Sequence, residues 1–101
     1  MSEARLERTE AGIRVTGELT LVTVPDLWRE SRGLLQGGSG PCRVDLSGGT
    51  RSDSAGVALL VGWMKDCAGT HGDHLIFTGM PERMRALVAV SDLEDVLRQE
   101  A

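Results

Sequence analysis

Aromatic side chains are almost missing from this chain. Two tryptophans, one phenylalanine and no tyrosine are the whole aromatic content of 101 residues. The core must therefore be built mainly from Leu, Val, Ile, Ala and Met, and no basic cluster with interleaved aromatics appears. Basic residues are also in the minority: 11 Lys and Arg against 15 Asp and Glu give a net charge of -4, which argues against a nucleic-acid footprint. Cysteine occurs only as Cys42 and Cys67. That is too few for a disulfide framework and fits a reducing compartment, where a free thiol behaves as a small buried hydrophobe. The longest apolar stretch, residues 56–64, falls well short of the roughly 20 residues of a membrane-spanning helix. The opening Met1-Ser2-Glu3-Ala4-Arg5 has no apolar signal-peptide core. The expectation is a cytoplasmic protein with no direct membrane insertion and no nucleic-acid partner.

What is present reads as one domain spanning residues 1–101. A chain of this length buries somewhat over ~60% of its unfolded surface and folds without staples, and 41% hydrophobic with 26% charged residues is an ordinary globular balance. Residues 5–8 and 13–19 predict two strands about a turn at Glu10-Ala11-Gly12, because Ile13 and Val15 alternate with Arg14 and Thr16. Val24, Leu27, Trp28, Ser31, Leu34 and Leu35 follow helical spacing, with Pro25 near the first helical position and Asp26 in the first turn. Gln36-Gly37-Gly38-Ser39-Gly40-Pro41 is a flexible loop. Cys42, Val44 and Leu46 alternate with Arg43 and Asp45 as a third strand. Residues 54–68 form a second helix stopped at Gly69, and residues 75–78 a strand opening from the Gly72-Asp73 turn. Pro81 starts a third helix with Met84, Leu87 and Val88 on one face, and Ser91-Asp92-Leu93-Glu94 is a capping box for a short last helix bearing Leu93, Val96 and Leu97. The order β-β-α-β-α-β-α-α points to an α/β fold with a largely parallel central section.

Chemistry concentrates where the strand Cys42-Arg43-Val44-Asp45-Leu46-Ser47 runs through Gly48-Gly49-Thr50-Arg51-Ser52 into Asp53-Ser54-Ala55-Gly56. This construction holds a hydroxyl at the positive end of a helix dipole. Ser54 has two readings: an N-cap worth ~1 kcal/mol, or a surface contact and switch. Ser52 and Asp53 could equally supply the cap. The helix that follows is unusually apolar, since Val57, Ala58, Leu59, Leu60, Val61, Trp63 and Met64 exceed a single core-facing stripe. Either helices cover it on both sides, or it offers a hydrophobic protein-binding face near its start, rimmed by Thr50, Arg51 and Ser54. Trp63 fits core or interface. Trp28 belongs to a core stripe, with Arg29 and Arg32 solvated on the other faces.

Other chemistries lack their parts. His71-Gly72-Asp73-His74 has no helical ligand spacing, so it reads as a turn rather than a metal site. The Gly48-Gly49 loop lacks the G-x-x-x-x-G-K-[ST] pattern of a phosphate loop. No nucleophile elbow surrounds Ser54 and no imidazole is placed to activate it. Neither cofactor nor catalysis is expected.

The element order, the Asp45-Leu46-Ser47 strand end and the Asp53-Ser54-Ala55-Gly56 turn resemble a STAS domain, the family of bacterial anti-anti-sigma factors and sulfate-transporter tails. Gly17-Glu18-Leu19 resembles the family's G-E-L-D segment, with Thr20 in place of Asp. Within the family, the closer likeness is to the MlaB-type STAS subunits of Mla phospholipid ABC transporters. It rests on Gly17-Glu18-Leu19-Thr20, on Pro25-Asp26-Leu27-Trp28-Arg29-Glu30 with its tryptophan, and on Asp53-Ser54-Ala55-Gly56-Val57-Ala58-Leu59-Leu60, similar to a D-T-G-G-L-A-L-L run. The resemblance implies a small mixed sheet with helices packed against it and no catalytic activity. It implies a cytoplasmic accessory subunit, peripheral to the inner membrane, bound to an MlaF-like ATPase and through it to the permease that maintains outer-membrane lipid asymmetry. The contact surface would be Thr50, Arg51, Ser52, Asp53, Ser54, Ala55, Val57 and Ala58, with Ser54 central. The alternative is an anti-sigma factor antagonist whose Ser54 is phosphorylated by an anti-sigma kinase.

Overall fold

In the computed structural model, residues 3–35, 42–66, 75–93, 97 and 99–100 are described. The loop 36–41, the end of the second helix with Cys67, the His71–His74 turn and residues 94–96 of the expected last helix lie outside them. Period-two alternation produces the strands: Ile13 and Val15 in β2 (Gly12–Leu19), Val44 and Leu46 in β3 (Cys42–Ser52), and Leu75 and Phe77 in β4 (Leu75–Thr78) are all at most 1% exposed. β1 (Ala4–Arg8) pairs antiparallel with β2 in the register Leu6↔Val15 and Glu7↔Arg14. β3 lies parallel to β2, and β4 parallel to β3. A two-residue strand at the far edge, β5 (Gln99–Glu100), continues the parallel section, so the sheet order is β1-β2-β3-β4-β5. The mixed sheet with its parallel centre agrees with the expectation; the last strand is an addition to it.

The helices α1 (Val24–Leu35), α2 (Ser54–Asp66) and α3 (Glu82–Val90) cover the apolar face. Leu27 from α1, Leu60 and Trp63 from α2, and Met84 and Val88 from α3 join the strand residues in one core. α2 contacts both α1 and α3, which resolves its excess of apolar residues. A helix flanked on two sides and seated on a sheet needs more than one stripe. Trp63 is fully buried, and its indole N–H donates to Ser31 Oγ at 2.6 Å, while that hydroxyl donates to the Trp28 carbonyl at 2.8 Å. Trp63 is therefore a core residue with its one polar atom satisfied. Trp28 is half-buried against the core, and the Arg32 guanidinium sits 5.7 Å from its ring centroid. Arg32 is thus held over an aromatic face, and Arg29 pairs with Asp26.

The third helix ends differently from the expected capping box at Ser91. Leu93 N–H donates to Val88 C=O and Asp92 N–H to Ala89 C=O, with Asp92 at φ +59°. These two bonds form a Schellman closure with aspartate in the left-handed position usually given to glycine. Ser91 is engaged as the C-cap of α3. Leu97 N–H then reaches back to Leu93 C=O, and Leu97 is buried.

Candidate partner-binding site

β3 stays paired with β2 as far as Ser52 but parts from β4 after Asp45, and the Asp45 side chain fastens the backbone at that point. Ser47 donates to Asp45 Oδ1 from its backbone N–H at 2.9 Å and from its hydroxyl at 2.7 Å, and Arg14 Nε donates to Oδ2 at 3.2 Å. The two hydrogen bonds from Ser47, aided by Arg14, hold the Asp45 carboxyl below its ordinary value. Asp45 and Ser47 thus brace β3 where its pairing with β4 stops.

Asp53 then joins three segments. Its N–H donates to Leu19 C=O at 3.1 Å, its Oδ1 accepts Ala55 N–H at 2.8 Å, and its Oδ2 accepts Leu21 N–H at 3.1 Å. The cap of α2 is therefore Asp53, and the turn after β2 is tied to it. That turn has its own lock: Thr23 Oγ1 accepts from Thr20 N–H and donates to Glu18 C=O. Ser54, one residue into α2, is exposed and makes no side-chain hydrogen bond with a described residue. Of its two roles, the cap is filled by its neighbour, and the hydroxyl is left facing solvent on a rigid support. Because the Asp53 carboxylate already takes the Ala55 N–H and its carbonyl the Gly56 N–H, this helix start is not an open anion cradle.

The other residues singled out from sequence divide. Thr50, Arg51 and Ala58 are exposed, while Ser52 and Ala55 are half-buried around Ser54. Val57 needs correction as a contact residue, because it is 4% exposed and points into the core. The same holds for the broader hydrophobic face expected of α2: Leu59, Leu60 and Trp63 are interior, and the strip left outside begins with Ser54 and Ala58. The apolar surface lies instead on neighbouring segments. Leu21 and Val22 in the turn tied to Asp53 are 76% and 71% exposed, and Val90 on α3 is 85% exposed. An open groove of about 450 Å3, lined by Ser54, Arg83, Ala86, Leu87 and Val90 with Ser52 and Asp53, separates α2 from α3. The sequence signal for Val90 was its place off the Met84–Val88 stripe, and for Leu21 and Val22 two aliphatics set between strand and helix.

Among the described residues no group of three His, Cys, Asp or Glu is gathered to hold a metal, and no helix is long and apolar enough to cross a membrane. Cys42 is buried and free, its thiol pushed up by burial although Arg8 opposes this.

The site is thus a capped helix start that presents a solvent-facing hydroxyl, carried on a mixed sheet layered with helices on one face. The family model described as MlaB, STAS domain matches residues 2–99, and the chain belongs to this STAS family, related to the anti-anti-sigma factors. An anti-sigma-B factor antagonist of Staphylococcus epidermidis is 31% identical over 84% of this chain and 78% of its own length. Its counterpart from Staphylococcus aureus is 29% identical over the same shares. In fold, the anti-sigma factor antagonist SpoIIAA in its unphosphorylated form superposes with a TM-score of 0.73 at 21% identity, covering 98% of this chain and 89% of that one.

Proposed function

We propose that this chain is a non-catalytic STAS subunit that docks through the surface around Ser54 on the ATPase of an Mla-type phospholipid-transport ABC complex. One observation carries the reading: Asp53 takes the capping role, so the Ser54 hydroxyl is free for a partner on a support that does not have to rearrange. Such preorganisation lowers the cost of association. The MlaB description of the matching family model supports the transporter branch, as does Trp28 beneath Arg32 in the first helix. A cytoplasmic subunit of this kind would be peripheral to the inner membrane through its partner. It would act by binding one arrangement of the ATPase pair more tightly than the other, which shifts the populations.

A second reading, an anti-sigma factor antagonist switched by phosphorylation of Ser54, is supported by the names of the curated relatives. A phosphate would add about -1.5 to -2 charge beside Asp53 on the contact surface. Affinity purification of the tagged chain from its own cells in mild detergent separates the two. Recovery of an ABC ATPase with its permease is the expected outcome. Recovery of a soluble kinase that labels Ser54 from ATP would replace it with the signalling role.

A further inference from the structure

The groove beside Ser54 has a composition that specifies what should enter it. Met84 and Val88 turn the inner face of α3 into the core, so an ordinary amphipathic helix would carry polar residues on the opposite side. Here Arg83, Ala86, Leu87 and Val90 line the groove instead, and their spacing of three and four residues makes them neighbours along one helix surface. Leu87 is half-buried, and Val90, at 85%, is the most exposed of the large hydrophobic residues described. Arg83 heads this aliphatic strip and enters no ion pair with another described residue. Asp53, the nearest acid lining the groove, is already spent on the Ala55 and Leu21 amides. Arg83 also lines the small cleft that holds Thr50 and Arg51. In a chain of net charge -4, this end of the contact surface is therefore locally cationic.

We propose that the groove receives a short apolar segment of the docking partner, its aliphatic side chains lying on Leu87 and Val90 and an Asp or Glu carboxylate pairing with Arg83. A guanidinium offers a planar fork of donors that suits a carboxylate, and apolar area beside the pair excludes water from it. The inference rests on the docking function proposed above and gives the chemistry of the partner at that site.

A photo-crosslinking amino acid at position 90, and in a second chain at position 50, tests it in cells, with the captured peptide sequenced. The expected result is an ABC ATPase peptide at both positions, the one from position 90 containing aliphatic residues next to an Asp or Glu. If position 50 captures the ATPase but position 90 captures nothing, a basic segment or a second copy of this chain, the groove assignment falls and the docking function stands. If neither position captures the ATPase, both fall. A paired charge reversal adds a second readout. Arg83→Glu should reduce co-purified ATPase about tenfold or more, as expected for inverting one partner of an interfacial charge pair, whereas Arg5→Glu, the same charge change on β1, should not. Equal recovery from the two variants, both melting as the parent does, would overturn the assignment.

Discussion

Asp53 accepts a hydrogen bond from Ala55 at the start of α2 and another from Leu21 in the preceding turn, so one carboxylate caps a helix and fastens a loop. The Ser54 hydroxyl beside it accepts and donates nothing among the described residues. The two positions should therefore separate stability from recognition. Asp53→Ala is expected to destabilise the chain by about 1–2 kcal/mol, from the lost cap and an amide left without its partner. Ser54→Ala should stay within about 0.5 kcal/mol, as exposed positions do. Denaturant titration of both variants checks this, and a Ser54→Ala loss as large as that of Asp53→Ala would make the hydroxyl structural. Asp45 offers a pH signature. Its carboxyl titrates below the ordinary value because Ser47 donates to it twice. A folded value depressed below the unfolded one of about 3.9 contributes stability above that pH, lost as pH falls through the folded value. In Asp45→Asn the stability deficit relative to the parent should be constant above about pH 5 and shrink below about pH 4. A deficit that persists unchanged at pH 3 would assign the effect to shape rather than charge.

Helix α2 enters the fold at a point where there is no room for a side chain. A Cβ on Gly56 would stand 2.7 Å from the Leu19 carbonyl oxygen and 2.8 Å from Ser52 Oγ. The Leu19 carbonyl cannot swing aside without losing the Asp53 N–H that donates to it. Glycine to alanine within a helix ordinarily gains about 1 kcal/mol. Gly56→Ala should reverse that sign and cost about 1–3 kcal/mol as overpacking does, while displacing Ser54. Thermal melts of the variant decide the sign. Periodicity made most of this element visible in the sequence: the strand ahead of α2, its approximate start and its apolar character all follow from local pattern. Where that pattern stops is equally physical. Whether Val57 and Trp63 face a partner or a neighbouring helix depends on α1 and α3 packing beside α2, a tertiary fact absent from any local window. That Asp53 also fastens Leu21, 32 residues away along the chain, is likewise a tertiary contact no local pattern carries. The groove was hidden for the same reason, because Arg83 and Val90 acquire meaning only when α3 lies next to α2.

At the scale of the whole molecule, the sheet has helices on one face and a charged row on the other. Glu7, Arg14 and Asp45 stand in register across three strands, with the uncharged Thr78 continuing the row on the fourth. β1 closes the edge beside β2 and carries Arg5, Glu7 and Arg8 outward, charges that discourage pairing with another sheet. It also contributes Ala4 and Leu6 to the rim of the core. Removing residues 1–9 should therefore have two separable effects. Losing the partial burial of these side chains costs about 2 kcal/mol, which for a domain of this size lowers Tm by roughly 10 °C. The exposed edge of β2 then presents unpaired backbone groups along Ile13 to Gly17, a template for self-association. Size-exclusion chromatography across a concentration series, run beside the melt, distinguishes the two effects. A truncated chain that stays monomeric but melts early would show that β1 contributes packing alone, whereas dimers that appear with rising concentration would show that its charged edge also keeps the molecule solitary until it meets its partner.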